Sequence, residues 1–227
     1  MTTATLALLL LAGAAAGAWG AYFRWKDKAH PEPLTVTLLA IGGGALAVGG
    51  ALLGYRSIRP VIDVSWEGLA GPFPPALAHA AAIGVVEEAA KALPVLLIAR
   101  LGRHFDEPLD GFVYAGAAGI GFALVETVLL SFDEGLAVGA VARALTSPIT
   151  HALFAAPWGY GLSFFVLSGR VAPVVVGFVI SAATHGAYDL LLSRPSLHLA
   201  AALLVAGLWA WMLRTVLVLQ RAALKAP

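Results

Sequence analysis

Apolar runs long enough to cross a lipid bilayer recur along the chain and are separated by short polar segments. A crossing helix needs about 20 predominantly apolar residues. The pattern predicts seven such helices, over residues 4–23, 34–55, 76–99, 110–131, 148–168, 171–193 and 197–219. A further apolar segment, 135–145, is too short to cross alone, and we interpret it as a re-entrant or interfacial helix. Alternatively, it extends the fifth span at its start, with Pro148 marking a kink or cap.

These elements predict an all-α fold, a polytopic transmembrane helix bundle with about seven to eight spans. Composition agrees, because the chain is 60% hydrophobic and 12% charged, whereas soluble domains carry about 25% charged residues. We therefore expect a single membrane domain over residues 1–227. The first run lacks the positively charged start of a signal peptide, so we interpret it as the first span.

Charge and cysteine content exclude several classes of function. The net charge of +1 and the lack of a dense Lys/Arg run argue against a nucleic-acid partner. With no cysteine, the chain has no thiolate nucleophile and no cysteine-ligated metal. Of the lysines and arginines outside the spans, nine fall on one side of the seven-span arrangement and four on the other. Because cytoplasmic loops carry the excess, we expect the N-terminus outside and the C-terminus inside.

Three charged residues, Glu87, Glu88 and Lys91, interrupt the third predicted span near its middle. Each charge at a helix centre costs about 2.5–3.5 kcal/mol on insertion scales, and each Leu or Ile offsets only about 0.3–0.6 kcal/mol. The three together cost about 8–10 kcal/mol. Their spacing of three and four residues puts them on one helix face, so Lys91 can neutralise a glutamate locally. The cluster therefore has partners elsewhere in the bundle or a function.

Three other spans carry ionisable groups: Glu126 in the fourth, His151 in the fifth, and His185 with Asp189 in the sixth. Counted along the helices at about 1.5 Å per residue, Glu126, His151 and His185 fall at the level of Glu87, in the outer half of the membrane. We therefore expect one polar chamber lined by four helices. The glycine-rich second and fourth spans suit close helix packing.

The polar positions resemble the motifs of the PrsW family of intramembrane proteases. Residues 87–91 (EEAAK) resemble its E-E-x-x-K motif, and residues 106–114 (DEPLDGFVY) with 119–126 (GIGFALVE) resemble its D-E-P-x-D-G…G-x-G-F-A-x-x-E-N block. Residues 151–154 (HALF) and 185–189 (HGAYD) resemble its two histidine motifs. The resemblance covers about residues 80–192 with the motifs in family order. One departure is Thr127, where the family usually has Asn.

The resemblance implies an intramembrane endopeptidase of the bacterial plasma membrane with a catalytic core at about residues 76–193. Its substrates would be membrane-anchored proteins such as anti-sigma factors, cleaved near the outer face of the bilayer. The family is similar to the CPBP group, which includes the CAAX endopeptidases, where a histidine more often takes the place of Glu126. The acids at 106, 107 and 110 lie at a helix start, which favours a structural role.

Peptide hydrolysis needs an activated water, a stabilised oxyanion and an acid for the leaving amine. A glutamate withdrawn from water suits the first task, so Glu87 or Glu88 is the candidate base and the other pairs with Lys91. His151 and His185 are candidates for the other two tasks. We expect Asp189 to fix the tautomer of His185.

Two versions of this site follow from the residues. We favour the one without a metal; in the other, Glu126, His151 and His185 hold zinc. A serine protease is not indicated, since Ser147 and Ser163 have no base at a recognisable spacing.

The alternative functions are a proton-coupled transporter or ion-binding protein using the same polar core, and a CPBP-like membrane scaffold or bacteriocin-immunity protein without proteolysis. The lack of an internal repeat weakens the transporter interpretation. The expected partners are a membrane-anchored substrate and the lipid bilayer. The oligomeric state stays open.

Overall fold

The computed structural model describes residues 3–26, 31–62, 65–101, 104–131 and 137–223. Within these ranges the chain forms eight α-helices and no strand. The helices are α1 Thr3–Lys26, α2 Leu34–Ile58, α3 Trp66–Ala70, α4 Pro75–Arg100, α5 Asp110–Ser131, α6 Val138–Ser168, α7 Ala172–Leu192 and α8 His198–Ala223. A short 3₁₀ turn, Pro195–Leu197, precedes α8. The all-α prediction is confirmed.

Five of the described helices are long and apolar enough to cross a membrane: α1, α2, α5, α7, and α8 together with the 3₁₀ turn before it. The other two long helices, α4 and α6, contain 26 and 31 residues and carry ionisable groups of the predicted chamber. At about 1.5 Å per residue, both reach across the hydrocarbon core of a bilayer, which is about 30 Å thick. Their crossing, and with it the count of seven spans, stays a prediction.

The predicted separate helix over residues 135–145 is wrong, and the alternative of a longer fifth span is correct. Helix α6 runs without a break from Val138 to Ser168 and contains Pro148. The first turns of α6 are held by packing, because Ala140 and Ala144 are buried against α1. The hydrogen bond lost at the proline does not outweigh that packing. Residues 135 and 136 lie outside the described part of the chain.

The centre of the bundle is α5, which contacts α2 along a seam of glycines. A Cβ atom added at Gly44 would lie 1.9 Å from the carbonyl oxygen of Ala118, and one added at Gly121 would lie 1.9 Å from that of Ile41. No side chain fits at such a backbone approach, so these glycines are required for it. The prediction that the glycine-rich spans serve packing is confirmed here.

Two end regions of the bundle are fixed by polar contacts. At the start of α5, Asp110 Oδ2 accepts hydrogen bonds from the backbone N–H groups of Asp106 at 2.6 Å and Glu107 at 2.8 Å, which fits the structural role expected for this acidic block. At the other end, Arg194 donates to the carbonyl oxygens of Leu69 at 2.6 Å and Gly71 at 2.7 Å. Arg194 thereby holds the short α3 segment against the last turn of α7.

Candidate active site

The ionisable groups predicted to share a chamber do come together, because the helices that carry them make close backbone contacts. Helices α4 and α7 meet at Gly84 and Gly186, where an added Cβ would lie 2.1 Å from a carbonyl oxygen of the facing helix. Helices α5 and α6 meet at Gly119, where an added Cβ would lie 2.6 Å from the carbonyl oxygen of His151. Each contact lies within two turns of a predicted site residue, so the polar side chains converge.

Glu88 lies at the centre of the most tightly bonded part of the chamber. Its Oε1 atom is 2.8 Å from Lys91 Nζ and 2.7 Å from His185 Nδ1. Its Oε2 atom accepts a hydrogen bond of 2.9 Å from the indole Nε1–H of Trp158 on α6. The Glu88 and Lys91 side chains are both 0% exposed. Glu88 is thus a buried carboxylate with both oxygens engaged by donors from three helices.

Glu87 has a different environment, although it is the next residue along α4. Its Oε1 atom accepts a hydrogen bond of 2.5 Å from the hydroxyl of Tyr55 on α2. Its Oε2 atom lies 3.4 Å from Lys91 Nζ and 3.5 Å from His185 Nε2, and the Glu87 carboxyl group also contacts that of Glu126. One oxygen of Glu87 is therefore fixed from α2, and among the described residues the other has no hydrogen-bond donor closer than 3.4 Å.

The second histidine pairs with the acid from α5. His151 Nε2 lies 3.0 Å from Glu126 Oε2, and the rings of His151 and His185 are 5.1 Å apart between centroids. Phe122 stacks on His151 and Phe154 stacks on His185, with interplanar angles of 25° and 16°. Aromatic walls therefore hold both imidazoles at fixed orientations inside the bundle.

The prediction that Asp189 orients His185 does not agree with the geometry. Asp189 Oδ2 is 3.6 Å from His185 Nε2, which is too long for a hydrogen bond. Glu88 contacts the other ring nitrogen, Nδ1, at 2.7 Å. When that nitrogen carries the proton, Nε2 is left as an acceptor that faces Glu87. Glu88 is therefore better placed than Asp189 to set the tautomer of His185.

The acids differ in their exposure. The side chains of Glu126 and Asp189 are 26% and 21% exposed, whereas that of Glu87 is 6% exposed. Glu126 on α5 and Asp189 on α7 are therefore the most accessible acids beside the two histidines.

The residues also fit a metal. Glu87, His151 and His185 each offer a ligand atom, and these atoms all lie within 4.8 Å of one another. Two imidazoles and one carboxylate form a donor set typical of catalytic zinc. The Nδ1 contact of His185 with Glu88 is the arrangement that usually orients a zinc-binding imidazole. Glu126 was predicted as the carboxylate ligand, but the geometry favours Glu87.

Two residues that contact the glutamates were not identified from the sequence. Trp158 lies two turns after His151 on the same face of α6, and its buried indole N–H needed an acceptor, which is a usable signal. Tyr55 lies at the end of a predicted span, where tyrosines are common at the membrane interface. Because the interface already explains a tyrosine at that position, its contact with Glu87 was not predicted.

A helix bundle with apolar spans, in which buried glutamates and histidines from four helices form one cluster, has the features of an intramembrane hydrolase. The sequence profile described as "PrsW family intramembrane metalloprotease" matches residues 32–218. The chain belongs to the PrsW family of intramembrane metalloproteases, and is therefore a peptidase of the membrane rather than a transporter or a non-proteolytic scaffold.

Several curated relatives carry the description "Protease PrsW". The relative from Geobacillus kaustophilus is 32% identical over 217 residues, which is 92% of this chain and 90% of the relative. The relative from Bacillus subtilis is 29% identical over 192 residues, covering 83% and 84%. The relative from Clostridioides difficile is 33% identical over 117 residues, covering 48% and 49%. No solved structure matches the chain significantly.

Proposed function

We propose that this protein hydrolyses peptide bonds in membrane-anchored proteins, anti-sigma factors among them, at a water activated beside Glu87. The observation that carries the proposal is the difference between the two adjacent glutamates. Glu88 has both oxygens in bonds of 2.7–2.9 Å. Among the described residues, Glu87 Oε2 has no donor closer than 3.4 Å and is directed at Lys91 and His185. A carboxylate that acts on water must present an oxygen in this way.

The reaction then follows from the positions of the side chains. Glu87 takes a proton from water as the water oxygen forms a bond to the scissile carbonyl carbon. His151, whose ring lies 5.1 Å from that of His185, supplies the ring N–H that donates to the developing oxyanion. His185 has its Nδ1–H engaged by Glu88 and accepts through Nε2. Glu87 delivers this proton to the leaving nitrogen as the carbon–nitrogen bond breaks, giving a carboxylic acid and an amine. Lys91 stays between the two glutamates and offsets one of their negative charges.

The family description as metalloproteases supports the zinc alternative over the metal-free version favoured from the sequence. Glu87, His151 and His185 would hold the ion. A bound zinc supplies Lewis-acid polarisation of water and of the scissile carbonyl. With Glu87 committed as a ligand, Glu126 is the carboxylate positioned to take the proton, because it is 3.0 Å from His151 and more exposed.

We further propose that the N-terminus is outside, that the chamber lies in the outer half of the membrane, and that the catalytic core spans about residues 76–193. The ends of α2, α5 and α7 and the starts of α4 and α6 share the side of the bundle nearest to Glu87 and Glu126. In the N-out arrangement that side faces the exterior. Substrates would accordingly be cut near the outer end of their own span.

The test uses the purified chain in liposomes with a panel of single-span membrane proteins, anti-sigma factors included, tagged at both ends. We expect one or more to be cleaved near the outer end of the span, and Glu87→Gln to remove the cleavage. Glu67→Gln, the same exchange at an exposed acid on α3, is the matched control and should cleave normally. Cleavage by Glu87→Gln at the control rate would refute the proposal.

Zinc is tested separately by measuring its binding to the purified protein after chelation. If Glu87, His151 and His185 form the ligand set, Glu87→Gln and His151→Ala lower zinc affinity by about 10–100-fold or more, whereas Glu126→Gln has a smaller effect. Equal affinities in Glu87→Gln and the unmodified protein would remove Glu87 from the ligand set. Restoration of cleavage by added zinc would then distinguish the two versions of the site.

A further inference from the structure

Tyr55 contacts the chamber from a helix that carries none of the recognised motifs. It lies on α2, 32 residues before Glu87 in the sequence. Its hydroxyl donates a hydrogen bond of 2.5 Å to Glu87 Oε1. That distance is typical of a hydroxyl bound to an ionised carboxylate. Tyr55 is itself partly buried and packs on the apolar cluster that joins α3, α4 and α7. The phenol ring is therefore fixed on the outer wall of the chamber.

The sequence of α2 is built to bring Tyr55 this close. Gly54, its neighbour, faces α4, where an added Cβ would lie 2.8 Å from Val86 Cγ1. One turn before Gly54, Gly50 faces Ala90. Two turns before that, Gly43 faces Pro94, where an added Cβ would lie 2.4 Å from the proline Cβ. These small residues allow α2 to lie directly against the face of α4 next to Glu87. A larger residue at 54 would separate the helices and lengthen the bond.

The bond restricts Glu87 in a specific way. Because the phenol holds Oε1, the carboxylate cannot rotate freely, and Oε2 stays directed at Lys91 and His185, 3.4 and 3.5 Å away. Those contacts are too long to fix the side chain by themselves. A carboxylate that must meet a water or a metal within a few tenths of an ångström gains rate from such restraint.

We propose that Tyr55 is a positioning residue that holds Glu87 in its working orientation through the hydroxyl. The inference rests on the proposed role of Glu87 and holds whether Glu87 acts on water directly or as a ligand. Tyr55 does not touch the substrate in this scheme. It acts through Glu87, so removing its hydroxyl changes the rate of the chemical step and not the binding of substrate.

The variant Tyr55→Phe removes only the hydroxyl. Measured on a panel protein that the unmodified chain cleaves, kcat should fall by about 10–100-fold with KM unchanged. Tyr160→Phe is the matched control. Tyr160 is also a partly buried tyrosine, and its hydroxyl has no hydrogen bond among the described residues. The kcat of the Tyr160→Phe variant should therefore equal that of the unmodified chain. An unchanged kcat for Tyr55→Phe, or a rise in KM alone, would overturn the proposal.

A double-mutant cycle separates positioning from general packing. Glu87→Asp shortens the carboxylate so that it no longer reaches the phenol. Adding Tyr55→Phe to Glu87→Asp should therefore lower kcat much less than it does in the unmodified chain. Equal effects in both backgrounds would show that Tyr55 acts independently of Glu87 and would refute the positioning role.

Difference infrared spectroscopy gives a readout that needs no substrate. Subtracting the spectrum of Glu87→Gln from that of the unmodified chain isolates the band of the Glu87 carboxyl group. The corresponding band, obtained from Tyr55→Phe and the double variant, should lie at a different frequency. An unshifted band would overturn the proposal. If instead the band shifts and Glu87→Gln cleaves at the control rate, the hydrogen bond from Tyr55 is established and the proposed role of Glu87 in the reaction fails, so the two failures are distinguishable.

Discussion

Replacing Glu88 by glutamine should destabilise the protein strongly, because this residue is buried among three hydrogen-bond donors. Lys91 and His185 contact Oε1, and Trp158 contacts Oε2. Glutamine keeps the shape but offers one carbonyl oxygen in place of two carboxylate oxygens. Its amide N–H₂ must then face either the indole N–H or the lysine and imidazole, where two donors oppose each other.

The magnitude follows from the charge that is left behind. Removing one partner of a buried ion pair costs about 3–5 kcal/mol. Lys91 retains Glu87 Oε2 at 3.4 Å, so its charge is not wholly abandoned, and we expect the lower end of that range. The predicted loss is about 3 kcal/mol of the free energy of unfolding, or about two powers of ten in the unfolding equilibrium.

The assay is reversible unfolding of the detergent-solubilised protein with increasing dodecyl sulfate, followed by circular dichroism. Glu67→Gln, on the exposed face of α3, is the control and should unfold with the unmodified protein. Glu87→Gln should lose less stability than Glu88→Gln, because Glu87 has one short hydrogen bond where Glu88 has three. If Glu88→Gln and Glu87→Gln unfold together, the division of the two glutamates into a structural and a working residue is wrong.

Three further predictions test other parts of the molecule. Gly44→Ala should lower the free energy of unfolding by about 1–3 kcal/mol, since its Cβ would meet Ala118, whereas Gly42→Ala, with nothing within 4 Å, should not; equal stabilities would refute the close α2–α5 contact. Because the chain has no cysteine, Ser57→Cys and Ser168→Cys report orientation directly. In the N-out arrangement an impermeant maleimide labels Ser57→Cys in intact cells and Ser168→Cys only after permeabilisation, and the reverse pattern would refute that orientation. Trp158→Phe should lower both stability and kcat by removing the bond to Glu88. Trp211→Phe, which removes an indole packed on Phe112 and Tyr160 away from the glutamates, should leave kcat unchanged; an equal fall in kcat would show that the bond to Glu88 is not the cause.

Helix positions were accessible from the sequence because the bilayer imposes a length on every apolar run. The predicted spans 34–55 and 110–131 correspond to α2 and α5, which run over 34–58 and 110–131. The fifth span was harder, because a proline inside an apolar run is read as a boundary. In the structure Pro148 lies inside α6. The helix continues on both sides of this proline because Ala140 and Ala144 are buried against α1. Contacts with a distant helix leave no mark in the local pattern.

The sequence indicated which residues lie close together in the cluster, but not which of them form hydrogen bonds with each other. Charged groups in apolar spans stand out, and counting along the helices placed Glu126, His151 and His185 at one level. Which nitrogen meets which oxygen depends on helix rotation and on angstrom-scale packing, so the partner of His185 was assigned to Asp189 instead of Glu88. Tyr55 was missed for a related reason, since a tyrosine at a span end has a sufficient explanation at the interface.

The charges that make the chamber conspicuous also bear on the metal. Glu87 and Glu88 carry two negative charges against the single positive charge of Lys91, and Glu126 and Asp189 stand beside the same histidines. In a region withdrawn from water, an excess of negative charge is offset either by protons on these groups or by a bound cation. A divalent ion held by Glu87, His151 and His185 would balance that excess while leaving the Glu88–Lys91 pair intact. In the proposed mechanism the two glutamates would then have separate roles: Glu88 would stabilise the bundle through Lys91, and Glu87 would retain the charge that a metal or an activated water requires.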